Sequence, residues 1–334
     1  MNNSEIYQEI KDLFNTYQIG NVTDEPVGVY GGLMHKMYKV TAGNRIYAVK
    51  WLNPTIMQRK EALENMVNSE RIASALLDYL PVIAAIHFKG KAVLQLKEKY
   101  YMVFPWVEGA SIFPPAISEG NCYEIGEVLG KIHHLNLVIP EVEKENHRDE
   151  AIIDWQRYYD LGLEQKAAWL DLYLSVIDKL YLWNQYANEA NLKLSEYMVI
   201  SHRDLDPKNV MWDGRRFYLI DLEAAGYVNP YLELLEVLNY WADDGKGALE
   251  KGRFLTLLHA YRENMSTAEA DWGLVLDSGC KGMLEWLEYS VKRALGLEGM
   301  EEDRLRGAEQ ITGTINALKR YEEQKHTIRK WLNE

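Results

Sequence analysis

Between Val199 and Leu222 the chain reads VISHRDLDPKNVMWDGRRFYLIDL, and no other stretch narrows its fold and chemistry as much. It holds an H-R-D-x4-N core whose D-x4-N part runs from Asp204 to Asn209, followed by Asp221 at the end of a short apolar run. Val199-Ile200 reads as a strand leading in, Pro207 blocks helix continuation, Asp213-Gly214 is a hairpin turn, and Phe217 to Ile220 is the returning strand. Two strands joined by a tight turn place Asn209 and Asp221 side by side. That set suits phosphoryl transfer from a nucleoside triphosphate. Asp204 would orient a substrate hydroxyl and accept its proton, while Asn209 and Asp221 supply the oxygen ligands that Mg²⁺ favours. His202 is read as structural, its ring fixing the loop by hydrogen bonds.

The 334 residues suffice for a large core and suggest two domains or lobes. A content of 47% hydrophobic and 26% charged residues is that of a soluble globular protein. The start, MNNSEIYQEIKDLF, is acidic and amphipathic with no apolar export core, and Pro81 interrupts the longest apolar stretch, Tyr79 to Phe88. Cys122 and Cys280 lie far apart and form no metal spacing, so a cytoplasmic location is expected. A net charge of −13 argues against nucleic acid and anionic membrane as partners and permits a cationic substrate.

Ahead of the central motif, Ser4 to Tyr17 carries a helical apolar period, and three strand signals follow: Val27 to Tyr30, Lys36 to Thr41, and Arg45 to Leu52. Gly31-Gly32 joins the first two and Gly43-Asn44 the second pair. Glycines at the first turn let backbone N–H groups approach phosphate oxygens, although a plain hairpin turn explains them equally. Lys50, on the third strand, is placed like the phosphate-pairing lysine of kinase-type sites. Gln58 to Tyr79 is helical in pattern. Within it Glu70 is the acid expected to pair with Lys50, since Ile72, Ala73 and Leu76 mark an inward face; Glu61 and Glu64 compete. After two more strands, Ala92 to Leu96 and Tyr100 to Phe104, the run FPWVEG marks a lobe boundary. Backbone groups of Pro105, Trp106 and Val107 would face an adenine edge there, against the plainer reading of a strand-to-helix connection. The expected division is an N-terminal lobe over 1–104, a hinge over 105–109 and a C-terminal lobe over 110–334.

The remainder reads as helical. On the Asn121 to Leu137 helix, His133 and His134 point about 100° apart, so His133 is expected to be packed and His134 exposed. Residues 140–150 form a polar connection, and Ile152 to Ser195 is an aromatic-rich helix whose rings are core rather than a ligand box. Eight residues separate Asp221 from Pro230, too few for the long segment that usually holds a protein substrate. Glu285 and Glu288 share a helix face near Trp286 and Tyr289, which suits an ammonium ligand, against the default of a solvated face.

Taken together, Gly31-Gly32, Lys50, Glu70, the Leu129-to-His133 helix, HRDLDPKN, LIDLE and WLEYSVKRAL resemble the aminoglycoside phosphotransferase and choline kinase superfamily, relatives of the protein kinases. The resemblance implies an α+β, protein-kinase-like fold: a small antiparallel β lobe with a helix and a larger, mainly helical C-terminal lobe. It implies nucleotide in the cleft, with Lys50, steadied by Glu70, on the α/β-phosphates. Asp204 would then be the catalytic base, Asn209 and Asp221 the Mg²⁺ ligands, and Glu223 an acid near the metals. The acceptor is expected between the catalytic loop and the C-terminal helices. The pattern is departed from at Leu33-Met34-His35, where small polar residues are frequent, and at Arg203 for glycine, Asp206 for histidine and Glu233 for aspartate. The expected activity is an ATP- or GTP-dependent, Mg²⁺-requiring kinase of a small hydroxylated molecule. An aminoglycoside-like cationic acceptor is favoured, with choline-like amines, amino alcohols and sugars open. An inactive nucleotide-binding scaffold and a protein kinase are the rivals.

Overall fold

The computed structural model describes residues 3–29, 35–144, 151–214, 216–300 and 303–334. They form two compact units. The first comprises Met1–Phe113, Leu137–Glu143 and Ile200–Gly226, and the second Pro114–Asn136, Lys144–Val199 and Tyr227–Glu334.

The first unit is built on a five-stranded antiparallel sheet of order β1-β2-β3-β5-β4, with β1 Val27–Val29, β2 Lys36–Ala42, β3 Arg45–Trp51, β4 Val93–Leu96 and β5 Lys99–Pro105. The two-residue loop Gly43-Asn44 closes β2 onto β3, Ala42 opposite Arg45, and Gly43 takes the left-handed φ of 58° that such a turn demands. Helix α1 (Asn3–Tyr17) lays Ile10, Leu13 and Phe14 against Val40, Tyr47, Val49 and Val103 on one face. Each of these buried apolar side chains contributes roughly 1.5–3 kcal/mol. A one-turn helix α2 (Pro54–Met57) leads to α3 (Ala62–Leu76), whose Met66 joins Leu52, Val93 and Met102 in a separate apolar cluster. Lys50 is paired with Met102 across the strands, so the pleat turns it to the side of this second cluster while its neighbour Val49 enters the first.

The central motif belongs to this unit. Strand β6 (Val199–Ser201) leads into the loop. A 3₁₀ turn over Pro207–Asn209 follows, then the hairpin of β7 (Val210–Asp213) and β8 (Arg216–Leu219), with Val210 opposite Leu219. Main-chain bonds tie the hairpin to the N-terminal residues: Ile83 N–H to Leu219 O at 2.9 Å, Leu219 N–H to Pro81 O at 2.8 Å, and a reciprocal Ala110–Trp212 pair at 3.0 and 3.1 Å. Gly109 permits the last approach, since a Cβ there would sit 2.6 Å from Trp212 O. These bonds explain why the compact units do not follow the expected boundary at 105–109: residues 200–226 pack with the first 113. A second 3₁₀ turn, Leu222–Ala224, precedes β9 (Gly226–Val228).

The second unit is helical: α4 (Glu119–Leu135), α5 (Trp155–Glu164), α6 (Leu170–Leu174), α7 (Ile177–Leu194), α8 (Pro230–Ala242), α9 (Lys251–Arg262), α10 (Trp272–Ser278), α11 (Lys281–Ala294) and α12 (Asp303–Leu332). The aromatic run expected as one helix over 152–195 is three, with Lys166 in a left-handed conformation between the first two. Its rings are core as expected, Trp155, Trp169, Tyr173 and Trp183 packing with Leu284, Leu287, Val291 and Ile315. Among the described residues no helix is long and apolar enough to cross a membrane.

Candidate active site

The loop after β6 holds Asp204 by its neighbours in sequence. Asn209 Nδ2–H donates to Asp204 Oδ2 at 2.9 Å and to the Asp204 main-chain oxygen at 2.8 Å, and Lys208 Nζ lies 3.2 Å from Oδ1. The turn that allows this starts at Asp206, whose side chain caps Lys208 N–H at 2.8 Å with Pro207 next in line. Pro207 thus opens a short 3₁₀ turn rather than only stopping a helix. His202 is buried, with Nε2 3.2 Å from Ile220 O and Nδ1 3.4 Å from Asp204 N–H. A carbonyl only accepts, so Nε2 carries the proton and Nδ1 receives the amide, as a structural histidine requires. Arg203 has φ +65°. That left-handed conformation costs a side-chain-bearing residue about 1–2 kcal/mol and glycine nothing.

Asn209 and Asp221 are adjacent through the backbone, Ile220 N–H donating to Asn209 O at 2.9 Å. Asp221 itself takes φ +60°. Aspartate tolerates that region better than most residues. Lys50 Nζ lies 2.6 Å from Asp221 Oδ1 and 2.8 Å from Glu223 Oε2. Burial alone would lower the Lys50 ammonium, but the charges of Asp221 and Glu223 raise it above its usual value. Burial by itself would raise the Glu223 carboxyl; His35 and the Lys50 charge outweigh it and hold Glu223 down at about 2.

Glu70, expected to steady Lys50, is differently engaged. Its Oε2 accepts from Ala85 N–H at 2.7 Å, and no ion pair joins it to Lys50 among the described residues. Burial pushes its carboxyl up to about 7, against the opposing pull of the Ala85 amide and the Lys50 charge. Competition accounts for this: two acids lie within 3 Å of Lys50, and the helix residue finds a backbone donor instead.

The other expected positions fall variously. Gly31 and Gly32 lie outside the described residues. At the segment 105–107, Pro105 ends β5 and Trp106 N–H is spent on Ile46 O at 3.2 Å, which leaves Val107 N–H as its unspent donor among the described residues. Trp106 also lies under Lys39, 4.4 Å from the ring centre, and donates Nε1–H to Glu108 at 2.8 Å. Glu285 and Glu288 belong to the second unit, and each already faces a lysine of its own helix: Glu285 with Lys281, and Glu288 with Lys292 at 3.0 Å. Glu288 also accepts from Tyr158 O–H at 2.6 Å. His133 is packed and His134 exposed as expected, and Glu233 is the partner of His133 at 2.7 Å, with Tyr261 O–H on the other ring nitrogen at 2.8 Å. Sequence reasoning missed His35 and Lys208 as neighbours of the site; only the spacing of Lys208 to Asp204 offered a signal.

The donor set fits Mg²⁺. Asp221 offers a carboxylate and Asn209 a carbonyl oxygen, because its amide nitrogen is committed to Asp204. Among the described residues no group of three or more His, Cys, Asp or Glu side chains is placed to hold a metal. Two hard oxygen donors without a protein cage suit an ion that keeps phosphate and water oxygens in its shell.

The sequence model described as the phosphotransferase enzyme family matches residues 28–269. The serine/threonine protein kinase RdoA of Salmonella typhimurium is 24% identical over 262 residues, covering 75% of this chain and 72% of that protein. Among solved structures, spectinomycin phosphotransferase in complex with ADP and spectinomycin superposes with a TM-score of 0.70 at 14% identity, covering 94% of this chain and 98% of that one. Choline kinase from Cryptosporidium parvum gives 0.60 at 13% identity, with the whole of both chains covered. The fold is therefore protein-kinase-like, α+β. With the family model spanning most of its length, the chain belongs to the phosphotransferase enzyme family, whose members transfer a phosphoryl group to an alcohol acceptor.

Proposed function

We propose that the protein is a kinase of small hydroxylated molecules that uses ATP or GTP with Mg²⁺. The observation that carries this reading is the convergence of Lys50 on Asp221 and Glu223, beside an Asp204 carboxylate held by Asn209. Lys50 is taken as the contact to the α/β-phosphates, Asn209 and Asp221 as the metal ligands, and Glu223 as an acid beside them. Pro105 to Val107 is taken as the adenine edge, with Val107 N–H as donor. Held by Asn209 and Asp221, Mg²⁺ would supply positive charge against the phosphates. In the transfer, Asp204 orients the acceptor hydroxyl and takes its proton as the acceptor oxygen bonds to phosphorus and the nucleoside diphosphate leaves. Catalysis is then mostly positioning and electrostatics.

A cationic acceptor such as an aminoglycoside or amino alcohol is favoured by the net charge of −13 and by the acceptors named for the structural neighbours, spectinomycin and choline. Glu285 and Glu288 are its proposed contacts, working against the lysines that already face them. A cytoplasmic location suits this role. A second reading, phosphorylation of protein serine or threonine, is favoured by the name of the Salmonella relative and opposed by the short segment between Asp221 and Pro230.

Incubation with γ-labelled ATP or GTP and separate pools of aminoglycosides, amino alcohols, sugars and proteins tests the proposal. Label in a small-molecule pool is expected. Label confined to proteins establishes the second reading, and label in no pool leaves a nucleotide-binding scaffold.

A further inference from the structure

His35 stands at the head of β2, one residue before Lys36, and is only 7% exposed. Its Nδ1 lies 3.0 Å from the backbone N–H of Asn53. An amide N–H can only donate, so Nδ1 is the acceptor and the proton of the neutral ring sits on Nε2. Nε2 lies 3.4 Å from Glu223 Oε2, a contact short of full hydrogen-bond geometry, and has no hydrogen-bond partner among the described residues. The same Glu223 oxygen takes Lys50 Nζ at 2.8 Å.

The far end of this relay is rigid. Asn53 caps α2, its side chain accepting from Thr55 N–H at 3.0 Å, and Pro54 follows at the first helical position. Leu52 N–H is bonded to Tyr100 O at 3.0 Å. Residues 50–53 thus supply both the ammonium and the amide that orients the ring. Glu70, the acid expected to steady Lys50, is tied instead to Ala85.

We propose that His35 is a positioning residue: its Nε2–H, buried and facing Glu223 Oε2 at 3.4 Å, keeps that carboxylate turned toward Lys50, so the lysine is held from residue 223 as well as from Asp221. This rests on the reading of Lys50 as a phosphate contact. The effect of His35 is indirect, through a carboxylate, and a purely packing ring would not share it.

The test uses two substitutions that divide the ring between them. His35→Asn keeps an acceptor near the position of Nδ1 but cannot reach Glu223; His35→Gln places an amide donor near the position of Nε2. Affinity is read with a fluorescent ATP analogue and no acceptor present, alongside the thermal midpoint. His35→Asn is expected to weaken binding about fivefold, as for loss of a polar contact facing a charged group, and His35→Gln to stay within about twofold of the parent. In the double variant with Glu223→Gln, His35→Asn should add nothing to the loss from Glu223→Gln alone. The ¹⁵N spectrum of the nucleotide-free protein should show His35 as the Nε2–H tautomer. Equal losses in the Asn and Gln variants, additive losses with Glu223→Gln, unchanged binding in His35→Asn, or an Nδ1–H tautomer would each overturn the proposal while the kinase reading stands. Failure of the parent protein to bind the analogue would remove both.

Discussion

In the first unit Lys50 meets Asp221 and Glu223; in the second His133 meets Glu233 and Tyr261. The distances are alike, 2.6 to 2.8 Å, but the surroundings are not. The side chains of Asp221 and Glu223 are 37% and 26% exposed, whereas those of His133 and Glu233 are 0% and 1% exposed. A cation shared by two partly open acids can exchange one partner for a ligand, because solvent and ligand reach the acids. A sealed pair cannot, and breaking it strands a buried polar group. The first arrangement is suited to chemistry and the second to holding α4, α8 and α9 together.

The largest effect that would break this comparison is at the loop of the first unit. Asp204→Asn should lower phosphoryl transfer by about 10²–10⁴-fold, with nucleotide affinity within about threefold of the parent, as read by single-turnover kinetics and direct titration. Transfer at the parental rate would remove Asp204 from the mechanism. The mirror experiment is Glu233→Ala, which removes the carboxylate from the buried His133 Nε2. It should cost about 3 kcal/mol of stability in urea unfolding while the nucleotide dissociation constant stays unchanged.

Glu70 lies between these cases, buried like Glu233 but standing near Lys50. Because its carboxyl is raised to about 7 in the fold, the folded state binds its proton more tightly than the unfolded chain does. Its stabilising share is full below the unfolded value near ~4 and is lost as pH rises through about 7. Glu70→Gln should therefore flatten the fall in unfolding free energy between roughly pH 4 and 7, a change on the order of 3 kcal/mol across the window. A parallel pH profile in the variant would show that Glu70 titrates normally.

The smallest effect is expected on α11. Glu285→Gln with Glu288→Gln should raise the acceptor KM only about threefold and leave the nucleotide KM alone, since each acid is already opposed by a lysine of its own helix. A changed nucleotide KM would take both residues out of the acceptor site.

Local order was largely legible from the chain. The Gly43-Asn44 hairpin, the alternation that turns Lys50 and Val49 to opposite faces, and the strand–turn–strand that brings Asn209 beside Asp221 all follow from short-range pattern. The family resemblance rested on the same runs, because H-R-D-x4-N and a later acid are contiguous in sequence. The break of the 152–195 run into three helices was hidden, since its hydrophobic aromatic content continues across the turns.

What the sequence alone determined is the inventory: which acids, amides and lysine are present, on which kind of element, and in what order. Tertiary structure alone decided the pairing. Lys50 lies 171 residues from Asp221 and 173 from Glu223, against 20 from Glu70. Side-chain type cannot rank three carboxylates that are chemically alike. Ranking them takes the positions of backbone donors such as Ala85 N–H and of burial such as that around His35, and both exist only once distant segments have packed.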